Sequence, residues 1–375
     1  MTHLEAEYRD FRDSVRRFAR EELAPRAAEL DRTREPPIAQ HEASVKLGLP
    51  GLPYPEKFGG GGANIFAQCV AMEEMARACA SSALSIASSW ILTSVVDFGN
   101  EEQQKRIVPQ MVAGKARSAW GLTEPKGGSD LMAATTKASR TNDGWVINGV
   151  KRFITNGGWA EWYMVFARTT EKRFGLFLVH KDDPGVSFGA PEKKMGMRGS
   201  PTSDVNLDNV ALPEWRLLGD PERGAEYINR ALLKSRMQMS AHALGIAGAA
   251  LTEALRYTKE RVQFGQAIAD FQLIRGMAAD MAIKVEAARS ALRHTCQLYM
   301  AGDPAARTQA SIAKVLCSDA AMSVTTDAVQ LHGGYGYLED YPVERMMRDA
   351  KVTQIWEGTN QIHRLMIAKD FYDQA

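Results

Sequence analysis

Hydrophobic and polar positions alternate in three textures along this chain. Near the start, Phe11, Val15 and Phe18 recur at helical spacing. AMEEMARACASSALSIASSWIL (71–92), rich in Ala and Met with no breaker, predicts a further helical stretch. LGLPGLPYPEKFGGGGAN (47–64), dense in Pro and Gly, predicts a loop between them. Near Ser118 the period changes. GWVINGVKRFITNGG (144–158) sets Asn148-Gly149 between two β-rich runs, a strong short-range hairpin signal. WYMVFARTT (162–170), FGLFLVH (174–180) and SDVNLDNVALP (203–213) continue as strands divided by Asp, Gly and Pro. From about Gly224 long runs of helix formers return, and Gly302-Asp303-Pro304 parts the second from a third. Helices of that length pack as an up-and-down bundle. The expected fold is therefore α+β: an N-terminal helical domain over 1–117, a middle antiparallel β-barrel-like domain over 118–220, and a C-terminal four-helix bundle over 221–375.

Charge and cysteine usage narrow the function classes. Lys plus Arg is 46 against 45 Asp plus Glu, a net charge of +1, which offers no electrostatic footprint for nucleic acid. Apolar runs are too short for a membrane span, which needs roughly 18 residues or more. The opening MTHLEAEYRDFRD is acidic and amphipathic, unlike a secretory signal. The four cysteines (Cys69, Cys79, Cys296 and Cys317) show no CxxC spacing, and Cys69 and Cys79 are expected on one helical segment. A cytoplasmic protein with reduced thiols is expected.

Most chemistry-bearing motifs are missing from the sequence. FGGGGAN (58–64) and HGGYGY (332–337) lack a preceding strand and spell neither GxGxxG nor a P-loop, so on pattern alone they are turns or helix stops. The seven histidines show no metal spacing, so no metal is expected, and no GxSxG elbow exists. Two polar loops are more suggestive. WGLTEPKGGSD (120–130) and KRFITNGGWAEW (151–162) each bring Thr, Gly and an aromatic to a strand edge. Together they can grip one flat polar ring, Phe153 packing a face while Thr123 and Thr155 bond the rim; an ordinary polar loop is the alternative reading of the first. Finally, VTQIWEGTN (352–360) sets a single carboxylate, Glu357, among apolar neighbours. Trp356 and Ile355 can starve it of water and lift its pKa, as a base that removes a carbon-bound proton requires, and Gly358 can let a substrate approach.

At this point the whole chain resembles the acyl-CoA dehydrogenase family of flavoproteins. WGLTEPKGGSD, KRFITNGG, ERVQFGQAIADFQ (260–272) and QLHGGYGYLEDYPVERMMRDAKVTQIWEGTNQI (330–362) each look like a family motif, in family order and spacing. The resemblance implies FAD, an acyl thioester substrate, an electron-transferring flavoprotein as acceptor, and a homotetramer built as a dimer of dimers. It implies that Trp120, Leu122, Thr123 and Ser129 line the flavin, Ser129 also near the substrate, and that Phe153, Ile154 and Thr155 form the second flavin loop. Arg261, Gln263, Phe264 and Gln272 resemble residues reaching the FAD of a neighbouring subunit, with Gln330, Gly333 and Gly334 another part of that contact. Thr359 and Gln361 resemble the last flavin contacts.

Glu357 falls on the family's catalytic base. Some members carry the base on a different helix; the matching place here is Ser235, which cannot serve. Arg236 matches an arginine common near the thioester. Three positions before it many CoA-specific members have Asp where this chain has Leu233, which leaves an acyl carrier protein open as the carrier. Trp356 and Tyr335 are bulky candidates for closing the acyl pocket and favour a short or branched acyl group. The expected reaction is α,β-dehydrogenation to a trans-2-enoyl thioester; the alternatives are a carrier-protein-dependent dehydrogenase of biosynthesis and a non-catalytic flavin-binding scaffold.

Overall fold

Val15 is buried on helix α1 (Arg9–Phe18), with Phe11 and Phe18 half-buried against the same core. The computed structural model of the chain describes residues 7–373; the first six residues of the acidic, amphipathic opening stretch and the last two lie outside the described residues. After α1 come α2 (Ala27–Thr33), α3 (Ile38–Lys46), α4 (Ile65–Ala78), α5 (Ala80–Ile86), α6 (Thr93–Phe98) and α7 (Glu101–Val112). The glycine run of FGGGGAN serves the entry to α4. Gly60 passes so close to Tyr54 that a Cβ would stand 2.1 Å from its carbonyl oxygen, and Asn64 Oδ1 caps α4 by accepting the Ala67 N–H at 3.0 Å.

The stretch 71–92 is not one helix. It breaks at Cys79, which is extended (φ −155°, ψ 106°) and ends α4 just before α5 begins, so Cys69 and Cys79 do not share a helix. No Pro or Gly marks the break. Its visible partner is tertiary: the His242 ring nitrogen Nε2 lies 2.9 Å from the Ala80 carbonyl.

The middle of the chain forms an eight-stranded sheet: β1 (Ser118–Gly121), β2 (Lys137–Thr141), β3 (Gly144–Thr155), β4 (Trp162–Arg168), β5 (Phe174–His180), β6 (Val186–Phe188), β7 (Thr202–Pro213) and β8 (Leu217–Leu218). The order is β6-β7-β3-β2-β4-β5-β8, with β1 on β4. Most pairs are antiparallel as expected, but β1 and the start of β2 run parallel to β4. A long loop after β1 lets both strands approach β4 in the same direction.

The Asn148-Gly149 hairpin does not form. These residues lie inside β3, at a register shift against β7, and the turn is Asn142-Asp143, which pairs Thr141 with Gly144. Gly149 (φ +154°) is a bulge glycine: a Cβ there would stand 2.4 Å from Thr136 Oγ1.

The C-terminal part holds three long helices, α8 (Gly224–Glu260), α9 (Gln272–Met300) and α10 (Ala306–His332), with a two-stranded ribbon of β9 (Val262–Gln263) and β10 (Gln266–Ala267) between the first two. Helices α11 (Pro342–Thr353) and α12 (Asn360–Tyr372) then pack on α10. The parts are tied by polar bonds. Gln103 of α7 donates to the Trp215 and Leu217 carbonyls at 2.7 and 2.6 Å, and buried Asp349 of α11 accepts the Met197 N–H. Among the described residues, no helix is long and apolar enough to cross a membrane.

Candidate active site

Glu357 sits on the tight turn between α11 and α12, with φ +56°, followed by Gly358 at +92°. A left-handed backbone at a non-glycine residue costs about 1–2 kcal/mol and persists only where its surroundings hold it. Here they do. His363, fully buried on α12, donates through Nε2 to the Glu357 carbonyl at 3.0 Å. Lys314 of α10 donates to the Gly358 carbonyl at 2.7 Å and to Asn360 Oδ1 at 2.8 Å. The Thr359 hydroxyl accepts the Ile362 N–H at 3.3 Å and caps α12.

The Glu357 carboxylate lies against the first half of α8. Ser235 and Arg236 of that helix lie beside it, and Lys314 is the other nearby cation. Burial pushes its pKa up, and those three groups pull against that shift without cancelling it. Glu357 Oε2 is buried with no hydrogen-bond partner, as are Trp356 Nε1 and Arg236 Nε. Ser235, read from the sequence as the vacant alternative base position, therefore does adjoin the carboxylate. Trp356 is half-buried and meets the His242 ring at 5.4 Å and 67°.

The two polar loops lie side by side. The Arg152 N–H donates to the Thr123 carbonyl at 2.8 Å, fastening the end of β3 to the segment after β1. Behind that bond lies a pair the sequence reading missed: Lys151 Nζ donates to Glu124 Oε1 at 2.8 Å, both side chains buried. Phe153 stands out of the loop, 57% exposed with φ +56°, and the Arg152 guanidinium covers its ring at 4.6 Å. Trp120 and Leu122 are half-buried in an apolar cluster that includes Leu232 of α8, one turn before Ser235. Ser129 is exposed and Thr155 half-buried, whereas Ile154 is buried in the sheet core and supports the loop by packing.

A second group lies elsewhere. Arg261, Gln263, Phe264 and Gln272 follow the end of α8, and Gln330, Gly333 and Gly334 close α10; Phe264 is 94% exposed with φ +51°. Arg261 places its guanidinium 5.5 Å from the Tyr335 ring. From Ser235 to the end of α8, and from Lys314 to the end of α10, helix rise gives about 37 and 27 Å. One chain therefore does not bring this group, or Tyr335, to Glu357. Tyr335 belongs with Arg261 and Tyr341 instead of beside Trp356.

Lys314, Asn360 and His363 also escaped the sequence reading. Lys314 carried a usable signal: it is a charge inside the apolar run Ile312–Leu316, the same irregularity that singled out Glu357.

Comparison with known proteins agrees with this layout. The descriptions "Acyl-CoA dehydrogenase" N-terminal, middle and C-terminal domain match residues 5–115, 119–210 and 222–372. An acyl-CoA dehydrogenase of Bacillus subtilis is 43% identical over 373 residues, 98% of each chain. The cyclohexane-1-carbonyl-CoA dehydrogenase of Geobacter metallireducens is 42% identical over 384 aligned positions, covering both chains completely. Butyryl-CoA dehydrogenase from Megasphaera elsdenii superposes with a TM-score of 0.94 at 36% identity over 99% of each chain. The chain belongs to the acyl-CoA dehydrogenase family, whose members are flavoproteins. It is an oxidoreductase acting on acyl-CoA.

Proposed function

We propose that this enzyme uses FAD to convert a short or branched acyl-CoA into its trans-2-enoyl thioester, with Glu357 as the base. The carrying observation is the Glu357 carboxylate, lifted in pKa by burial, with Oε2 unpartnered, on a strained turn that its neighbours hold fixed. The residues present fit a flavin. An exposed aromatic ring on a strained loop, with unpaired buried polar atoms at Trp356 and Glu357, suits a flat polar ring system.

Trp120, Leu122, Thr123, Ser129, Phe153, Ile154 and Thr155 would form that cofactor's cradle, with Thr359 and Gln361 beyond the base. Arg261, Gln263, Phe264, Gln272, Gln330, Gly333 and Gly334, remote from Glu357 in their own chain and largely exposed, would serve the FAD of a neighbouring subunit in a dimer of dimers. FAD, when bound, supplies the acceptor for the β-hydride. Glu357 removes the α-proton, Ser235 and Arg236 hold its carboxylate ionised, and Ser129, Gly358 and Arg236 border the thioester. Half-buried Trp356, backed by His242, walls off the space beside the base and limits the acyl group. The relatives named for butyryl-CoA and cyclohexane-1-carbonyl-CoA support a compact acyl group. The divisions 1–117, 118–220 and 221–375, a cytoplasmic location and an electron-transferring flavoprotein as acceptor complete the reading.

One observation favours a second carrier. Leu233, where many CoA-specific members have Asp, packs half-buried against the main apolar core, so it offers no polar group to a pantetheine arm. An acyl carrier protein thioester is the alternative substrate.

The test is anaerobic titration of the purified protein with butyryl-, isobutyryl-, isovaleryl- and octanoyl-CoA. Bleaching of oxidised flavin by one of the first three is expected. A yellow protein bleached by none, but bleached by an acyl carrier protein thioester, moves the assignment to that carrier; one bleached by neither supports a non-catalytic scaffold. Arg261→Ala is expected to lower flavin content and weaken the assembly together, read from the 450 nm to 280 nm absorbance ratio across a gel-filtration peak. Full flavin retention would count against the intersubunit geometry.

A further inference from the structure

Lys314 is 1% exposed in the middle of α10, among Ala313, Cys317 and Ala310 of the main core. Burying an ammonium is costly, and a methionine would fill the same space without that cost. What the ammonium does is specific. It binds the Gly358 carbonyl at 2.7 Å and Asn360 Oδ1 at 2.8 Å, the residues on either side of Thr359 and just beyond Glu357. Asn360, itself buried, donates to Ser318 Oγ at 2.9 Å and Asp319 Oδ1 at 2.7 Å. Gln354 donates to the same Asp319 oxygen at 2.7 Å, and Arg364 to Asp319 Oδ2 at 2.6 Å. The turn from Gln354 to Asn360 is thus gripped from one side by α10 and from the other by His363.

We infer that Lys314 is a positioning residue of the reaction: its ammonium pins the backbone after Glu357 and so aims the carboxylate. The same charge lies near that carboxylate and opposes its protonation. This rests on reading Glu357 as the base. The groups facing Glu357 are Ser235 and Arg236 from α8, Lys314 from α10 and His363 from α12. Burial, aided by Arg236 and Lys314, holds His363 neutral, at about 4. Lys314 itself is pulled down to about 8 by burial, with Glu357 and Asp319 raising it and Arg236 and Arg364 lowering it. Its charge is present at neutral pH and is lost as pH rises through about 8.

The test is stopped-flow reduction of the FAD-loaded enzyme by butyryl-CoA from pH 6 to 9, in Lys314→Met and Lys314→Gln. Lys314→Met is expected to keep its flavin, to lose about tenfold in limiting rate through misaim of the carboxylate, and to move the rising midpoint of the rate to higher pH. Lys314→Gln retains a donor for the Gly358 carbonyl without the charge. It is expected to show the same midpoint shift with a plateau nearer wild type, and it decides the matter if the Met variant does not fold. A purely structural lysine would change stability and leave the midpoint in place. Wild-type midpoints and plateaus in flavin-loaded variants would overturn the inference. Glu357→Gln, measured alongside, separates the two readings: reduction at wild-type rate there removes the base assignment and this inference together, whereas an inactive Glu357→Gln with unchanged Lys314 variants removes this inference alone.

Discussion

Glu357→Gln is expected to leave FAD and acyl-CoA bound while lowering flavin reduction by about four orders of magnitude, the upper end of what a positioned general base contributes. The amide keeps the shape of the side chain and the polar contact with Ser235, but it has no basic lone pair for a carbon-bound proton. The loss should therefore appear in the limiting rate of reduction, with the dissociation constant little changed. In the wild-type enzyme, burial raises the Glu357 pKa while Ser235, Arg236 and Lys314 hold it down. A base must be ionised to act, so the rate should rise with pH through a midpoint above the ordinary carboxylate range. Glu357→Gln should lack that rise. Rapid-mixing absorbance at 450 nm, with titration of substrate at each pH, checks both statements. Reduction within tenfold of wild type would mean that another group takes the proton.

How much of this was legible in the sequence depended on whether local chemistry decided the outcome. Glu357 was readable because a carboxylate between Trp356 and Gly358 violates the usual surface pattern. The long helices of the C-terminal part were readable because Ala, Leu, Met and charged helix formers run there with no Pro and only isolated Gly. The Asn148-Gly149 error arose because a glycine with positive φ serves turns and bulges equally. Pairing of β3 with β7 across the register shift, a contact between segments about 60 residues apart in sequence, decided for the bulge. The break at Cys79 was unreadable, since the preceding sequence favours helix and the interruption coincides with a contact from His242, far along the chain. Tyr335 illustrates another limit. Resemblance assigns a residue to a site but does not say whose site, and only the lengths of α8 and α10 separate Tyr335 from the Glu357 of its own chain.

Glu124→Ala is expected to destabilise the middle domain by about 3–5 kcal/mol, the usual result of stripping one partner from a buried ion pair. The size follows from who is left unpaired. Without Glu124, the buried Lys151 ammonium keeps only the Leu122 carbonyl at 3.4 Å, and the N–H groups of Thr135 and Thr136, at 2.6 and 2.9 Å from the carboxylate, lose their acceptor. Lys151→Met should cost less, because Glu124 would retain both N–H donors and the Thr135 hydroxyl at 2.7 Å. The pair lies directly behind the bond between Arg152 and Thr123, so loosening it should also release flavin at lower temperature. Acid should act in the same direction. Burial alone would raise the Glu124 pKa, but the bonds from Lys151, Thr136 and Thr135 overcome it and bring the group to about 2. A depressed carboxylate stabilises the fold above its unfolded pKa, and that stability is lost as pH falls from about 4.5 toward 2. Flavin fluorescence followed during heating, at pH 7 and at pH 4, reads both effects. Glu124→Ala should release flavin at the lowest temperature at pH 7 and should lose less than wild type on acidification, since it no longer has this carboxylate to protonate. If Lys151→Met proves the more damaging change, the ammonium and not the carboxylate organises the two polar loops.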